Sequence, residues 1–247
     1  MKSFLARGGM ADLYIVEPVE KPGKEWVLKL YRWDNTIGDM LLTRFQSAAQ
    51  LLQNLRHPAL PVIKEYFLLP DGFVLIREYI PGRDLEALGS ERLLPFPGER
   101  VIRWGIELCD VLEYLHSRVP PVILKDLRPP NLIPDRRDHI RIVDVELSST
   151  EHDLCDFLPT GSPRFVAPEV LAGEKPSPGS DLYSLATTLF YLVTLNRPTR
   201  DNLEILRHGE HDIPGNLVEA IIISLDHKPE NRFKSAAEFK RFLVQNS

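Results

Sequence analysis

The sequence predicts an α+β fold in two parts: a small antiparallel β lobe carrying one main helix (residues 1–80) and a larger helical lobe (residues 81–247). Three observations predict it. The first eighty residues read as short β-type runs joined by turn-forming residues. Beyond "PGRD" the apolar residues fall at helical spacing. Asp126, Asn131 and Asp144 then sit at fixed offsets between apolar runs, just past the first long helical pattern. Strands followed by helices, with ligand-type side chains near the junction, imply a site in a cleft between two lobes.

Each element follows from a local signal. "DLYIVEP" and "EWVLKLYR" are strand-like and joined by the turn former "KPGK". "MLLTRFQSAAQLLQNLRH" carries apolar residues at helical spacing, and His57-Pro58 closes it. "VIKEYFLLP" and "GFVLIREYI" flank the hairpin signal Asp71-Gly72. In the second part "ERVIRWGIELCDVLEYLHS" predicts a long amphipathic helix. "SDLYSLATTLFYLVTL" predicts one so apolar that it is buried on all sides. "GNLVEAIIISL" and "SAAEFKRFLVQ" predict the last helices, and only a short segment lies between Pro198 and "IIISL". There is no internal repeat.

Composition narrows the function classes. With 43% hydrophobic and 26% charged residues the chain is an ordinary globular one, and 247 residues suffice for two lobes. The net charge of −5, without a Lys/Arg block, gives no basis for nucleic-acid binding by a basic stripe. Cys109 and Cys155 have no paired or metal-type spacing and read as free thiols of a reducing compartment. His116, His139 and His152 have no metal spacing and read as surface or core histidines. The start lacks a secretory signal, and the apolar run Leu185–Leu195 is too short to cross a bilayer. A cytoplasmic protein with no membrane segment is expected.

Seven segments, in order, carry a resemblance to a known family. "ARGGMADLY" resembles a glycine-rich loop, and Lys29 in "WVLKLY" a strand lysine. "LKDLRPPN" resembles a catalytic loop and "VDVE" a metal-binding tripeptide. "GSPRFVAPE", "SDLYSLA" and "HKPENRF" complete the series. The chain resembles a Hanks-type serine/threonine protein kinase domain of bacterial flavour, which implies a bilobal kinase-like fold.

Phosphoryl transfer needs charge neutralised on the transferring group and the reacting oxygens held in line. The resemblance implies that Lys29 holds the α- and β-phosphates of ATP, with backbone near Ala6, Gly8 and Gly9 cradling phosphate. It implies that Asn131 and Asp144 are the oxygen ligands of Mg2+. Asp126 would orient the substrate hydroxyl and accept its proton. Arg128, where the family usually has Lys, would neutralise the γ-phosphate. The backbone from Glu78 to Ile80 would pair with adenine, and Leu13, Val27 and Ile133 would sandwich the ring. Glu169 and Arg232 would form a buried ion pair, and Asp181 would anchor the catalytic loop. Ser162 stands for the usual Thr in the activation segment. The run Ser148-Ser149-Thr150 is a phosphorylation candidate, for which Lys125 makes a weak clamp.

Several residues depart from the family pattern. Ala48 stands where the helix should carry the Glu that pairs with Lys29, and Ala6 and Ala11 replace the outer loop glycines. Leu124-Lys125 replaces His-Arg, Glu146 replaces the Gly of the tripeptide, and Arg77 stands at the back of the adenine pocket. Arg77 and Lys29 would be two cations in a pocket emptied of its Glu, which is costly unless an anion joins them. Glu146 is the expected anion.

Three functions compete. One is an active kinase that uses Mg-ATP on a protein substrate. The second is a pseudokinase that holds nucleotide or a regulatory protein partner, favoured by the departures. The third is a small-molecule phosphotransferase, which "VDVE" fits but "APE" and "PENRF" do not. The chain opens on its glycine-rich loop and ends after the last family helix, so a minimal domain without sensor or anchor is expected.

Overall fold

The computed structural model describes residues 2–7, 11–20, 22–32, 49–69, 72–145, 149–150, 164–208 and 212–245. Gly8, Gly9, Ala48, Glu146, Ser148, His152, Cys155 and Ser162 lie outside the described residues. The chain forms two compact units, Met1–Pro81 and Gly82–Ser247.

The first unit is a five-stranded antiparallel sheet in the order β1-β2-β3-β5-β4. Its strands are β1 (Ser3–Arg7), β2 (Ala11–Val16), β3 (Trp26–Arg32), β4 (Ile63–Leu69) and β5 (Gly72–Glu78). Side chains alternate faces along a strand, and the register sets Val27 opposite Arg77, Lys29 opposite Leu75 and Tyr31 opposite Phe73. All six of these share one buried face. Gly72 is needed where β5 begins, because a Cβ there would lie 2.4 Å from the Tyr31 carbonyl oxygen. Edge strand β1 is exposed along its whole length, so no alternating pattern marks it in the sequence. The described part of helix α1, residues 49–54, buries Ala49 and Leu52. Behind it the Leu60 N–H donates to the His57 carbonyl at 3.0 Å, closing a turn around Pro58.

The second unit is mainly helical. Helix α2 (Leu85–Arg92) starts where the Asp84 carboxylate accepts the Ala87 N–H at 2.8 Å, a side-chain cap. Helix α3 (Gly98–His116) buries the stripe Val101, Trp104, Leu108, Leu112 and Leu115. Pairs β6 (Val122–Ile123) with β9 (Ser149–Thr150), and β7 (Leu132–Pro134) with β8 (Ile140–Ile142), follow. Then come α4 (Pro168–Leu171), α5 (Pro178–Thr194), α6 (Arg200–His208), α7 (Gly215–Ser224) and α8 (Ala236–Gln245). Helix α5 opens on a Ser177–Ser180 capping box with Pro178 in its first turn. Leu182, Leu185, Ala186, Leu189, Phe190 and Leu192 of α5 are all buried, so its expected burial on every side holds.

Helix α6 occupies part of what reads in the sequence as only a short segment. Its start is fixed by a reciprocal cap in which the Thr199 N–H donates to Asn202 Oδ1 at 2.6 Å and the Asn202 N–H to Thr199 Oγ1 at 3.3 Å. Asn takes the place that Glu or Gln holds in the usual capping box. No described helix is long and apolar enough to cross a membrane.

Candidate active site

In the second unit the segment between β6 and β7 is held by bonds to other elements. Asp181, fully buried at the start of α5, accepts the N–H of Leu124 at 2.9 Å and of Lys125 at 3.0 Å. His116, at the end of α3, bonds the same carboxylate at 2.9 Å. Thr188 Oγ1 donates to the Leu127 carbonyl at 3.1 Å. Lys125 takes φ +67, a left-handed conformation unusual for a residue with a long side chain. Two carboxylate bonds to consecutive backbone N–H groups hold it there.

Asp126 follows at once and is buried. Its carboxylate accepts Arg128 Nε at 3.1 Å and Asn131 Nδ2 at 2.7 Å, while its carbonyl accepts Asn131 Nδ2 at 2.8 Å. The Asn131 amide thus turns its N–H donors to Asp126 and leaves the oxygen as its ligand atom. The Val143 N–H donates to the Asn131 carbonyl at 2.9 Å, next to the Leu132–Ile142 pair of β7 and β8. This register sets Asn131 and half-buried Asp144 at the same end of the hairpin. An amide oxygen and a carboxylate there suit a hard divalent cation. Among the described residues no group of three His, Cys, Asp or Glu side chains is placed to hold a metal. Ile133 packs against Gly82, whose φ of +142 and 2.6 Å approach of an added Cβ to Ile133 Cγ2 both demand glycine.

The hairpin is braced at its far end. The Asp138 carboxylate takes a bidentate bond from Arg100 at 2.5 and 2.9 Å and a third bond from Arg103, and Trp104 Nε1 donates to the Asp138 carbonyl. Burial works to raise the Asp138 pKa, but the two guanidinium groups together hold it below the usual carboxylate range. His139 meets Glu107 at 2.7 Å, which raises the imidazole pKa. Elsewhere the Arg232 guanidinium, buried at the end of the 3-10 turn Pro229–Asn231, makes a fork–fork pair with Glu169 at 2.7 and 2.8 Å. Burial raises the Tyr183 phenol, with the Arg232 cation 4.9 Å from its ring.

In the first unit Lys29 is buried in the middle of β3, its ammonium 5.8 Å from the Tyr31 ring centroid. Leu13 lies opposite it on β2. Ala6, on exposed β1, pairs with Leu13 beside an irregularity in the ladder. Ile80 is buried. The Glu78 N–H donates to the Val62 carbonyl at 2.8 Å, and the Glu78 carbonyl accepts Arg77 Nη1 at 3.1 Å.

The sequence profile of the protein kinase domain matches residues 4–245, nearly the whole chain. The chain belongs to the protein kinase family. It is 28% identical to serine/threonine-protein kinase C of Synechocystis, over 98% of this chain and 48% of that protein. It is 24% identical to a probable serine/threonine-protein kinase of Streptomyces coelicolor, over 96% of this chain and 38% of that one. The human RAC-beta serine/threonine-protein kinase is 29% identical over 76% and 39%. This kinase domain spans less than half the length of each of these relatives.

Two features of the kinase domain were not visible in the sequence. The His116–Asp181 bond joins residues 65 positions apart, and nothing local to His116 marks it. The Arg100–Asp138 brace likewise spans α3 and a hairpin 38 positions on. Cys109 is a free, fully buried thiol whose pKa is driven up by burial, which leaves it unreactive.

Proposed function

We propose that the domain transfers the γ-phosphate of ATP, with Mg2+, to a serine or threonine hydroxyl of a protein substrate. The observation that carries this reading is the Asp126 network: a buried carboxylate joined to Arg128 and Asn131, on a backbone anchored by Asp181. In this reading Asp126 accepts the hydroxyl proton as the substrate oxygen bonds to phosphorus and the bridging oxygen leaves with ADP. Arg128 holds Asp126 through Nε, and its guanidinium has further donors for a phosphate oxygen. Asn131 and Asp144 would hold Mg2+, which neutralises phosphate charge when bound. By the family resemblance Lys29 would hold the α- and β-phosphates, and the loop of Ala6, Gly8 and Gly9 would cradle them. The resemblance gives Leu13, Val27, Ile133 and the Glu78–Ile80 backbone to the base.

A second reading, a nucleotide-holding or partner-binding module without transfer, is favoured by one observation. Arg77 is buried on the same face as Lys29, a second cation where the family usually has Met, Leu or Thr. In either reading the domain works with a protein, as substrate or as regulatory partner.

The test is thermal unfolding with ATP, with and without Mg2+, beside an Asp144→Ala variant. A ligand at a hundred times its Kd stabilises by about 2.7 kcal/mol, roughly 5–10 °C for a chain of this size. A Mg2+-dependent shift that shrinks in Asp144→Ala is expected. Equal shifts in both proteins would remove Asp144 from the metal site, and no shift in either would overturn nucleotide binding.

A further inference from the structure

We propose that the α2–α3 connection and the tip of the β7–β8 hairpin form a docking surface for an acidic, leucine-type segment of a partner protein. The surface lies wholly in the second unit, and the proposal does not depend on phosphoryl transfer.

The apolar part is a pair of leucines. Leu93 and Leu94, just after α2, are 81% and 64% exposed. Leu93 caps the helix at φ +54, its N–H donating to the Gly89 carbonyl at 3.1 Å. Glycine or asparagine usually takes that left-handed place, because a side chain crowds the backbone there. A bulky apolar residue in an unfavourable backbone state, left in water, is a feature that folding of this unit does not explain.

The charged part adjoins it through two rings. Arg92 and Arg100 place their guanidinium groups 5.2 and 5.9 Å from the Phe96 ring centroid. Phe96 meets Trp104 edge-on at 5.3 Å, and Trp104 Nε1 donates to the Asp138 carbonyl at the hairpin tip. The tip is rigid: Asp135 Oδ1 accepts the N–H of Arg137 at 2.7 Å and of His139 at 3.0 Å. The acids here are already engaged, Asp138 with Arg100 and Arg103, Asp135 with these backbone groups, and Glu107 with His139 and the Ile140 N–H. Arg136 and Arg137 are both exposed, and neither guanidinium meets an acid among the described residues. Arg103, 61% exposed, spends one donor on Asp138.

The chemistry names the occupant. From residue 98 to residue 141 the one lysine is buried Lys125, so every exposed Lys or Arg cation of this surface is a guanidinium. Guanidinium is the group that binds carboxylates through paired bonds. The chain as a whole carries −5, which repels a long polyanion and favours a short acidic segment that also brings an apolar side chain to the leucines. The surface sits at the hairpin end opposite Asn131, so it would hold a partner without touching the reacting groups.

The experiment is fluorescence anisotropy on the full chain with a labelled peptide in which two leucines are flanked by runs of glutamate. The controls are the same peptide with lysine for glutamate or serine for leucine. The proteins are the wild type, Arg136→Glu with Arg137→Glu, and Leu93→Asn with Leu94→Ser, whose Asn suits the left-handed backbone. Unfolding midpoints check that each variant is folded. The wild type is expected to bind the acidic leucine peptide at least tenfold tighter than either control, and less tightly as salt rises. The arginine variant should lose at least tenfold and the leucine variant at least threefold. No binding of the acidic peptide, equal binding of the controls, or an affinity unmoved by either folded variant overturns the proposal. Tighter binding of an oligonucleotide or of anionic phospholipid vesicles than of the peptide overturns it as well.

Discussion

The catalytic-loop hairpin of the second unit and the central strands of the first differ in the charged residues they bury. In the hairpin, charges come in pairs of opposite sign: Asp126 with Arg128, and Asp138 with Arg100 and Arg103. Backbone N–H groups meet the Asp181 carboxylate in the same spirit. In the sheet, two cations, Lys29 and Arg77, occupy one buried face. A network closed within itself contributes to folding and keeps its geometry without ligand. The second unit therefore carries the features of a preorganised site, while departures from the family pattern fall in both units: Ala6, Ala11, Ala48 and Arg77 in the first, Leu124, Lys125 and Glu146 in the second.

The comparison can be broken or sharpened by substitution. The largest effect is expected from Glu169→Ala, which leaves the fully buried Arg232 guanidinium without its carboxylate. Removing one partner of a buried pair costs about 3–5 kcal/mol, read from denaturant unfolding. A loss below 1 kcal/mol would mean the closed pairs of the second unit do little for its folding. In the first unit Gly72→Ala forces a Cβ against the Tyr31 carbonyl, and the overpacking should cost about 1–3 kcal/mol. Unchanged stability there would show that β3 and β5 can move apart freely at this end of the sheet, against the close pairing of Arg32 with Gly72.

The smallest effect is a pH dependence. Glu107 raises the pKa of exposed His139 above its ordinary value. A group whose pKa is raised on folding adds stability that is fully present below its unfolded pKa and is lost as pH rises through the folded one. The second unit should thus lose a small increment as pH climbs past neutrality, and His139→Gln should flatten that slope. An identical pH profile in the variant would remove the contact from the account.

Much of this was legible in the sequence because it depends on local pattern. The apolar continuity of "SDLYSLATTLFYLVTL" announced α5, and the spacing of "ERVIRWGIELCDVLEYLH" announced α3. The fork of Glu169 and Arg232 followed from the family resemblance rather than from any spacing, as did the anchoring by Asp181. The exposed strand β1 lacks the alternation that reveals a strand half-covered by a core. Helix α6 was hidden because Asn202, not Glu, completes its cap. In the candidate site the grouping of Asp126, Arg128 and Asn131 is short-range and could be read from "DLRPPN". The partners of His116, Asp138 and Arg77 could not, since they depend on tertiary placement or on a rotamer that closes onto the next carbonyl. The expected partnership of Glu146 with Lys29, Arg77 or both involves a residue outside the described ones.

The central claim, that the Asp126 network does chemistry and not only binding, is tested most directly by single-turnover transfer of labelled γ-phosphate. The wild-type protein and Asp126→Asn would be compared with Mg-ATP and a Ser/Thr-bearing protein substrate. Asn keeps the shape and most of the bonding capacity of Asp126 but cannot take the proton. The account predicts Mg2+-dependent transfer by the wild type and a loss of roughly 10²–10⁴-fold in the variant, with nucleotide affinity kept. Nucleotide binding without transfer in the wild type, or equal transfer by both proteins, would contradict it.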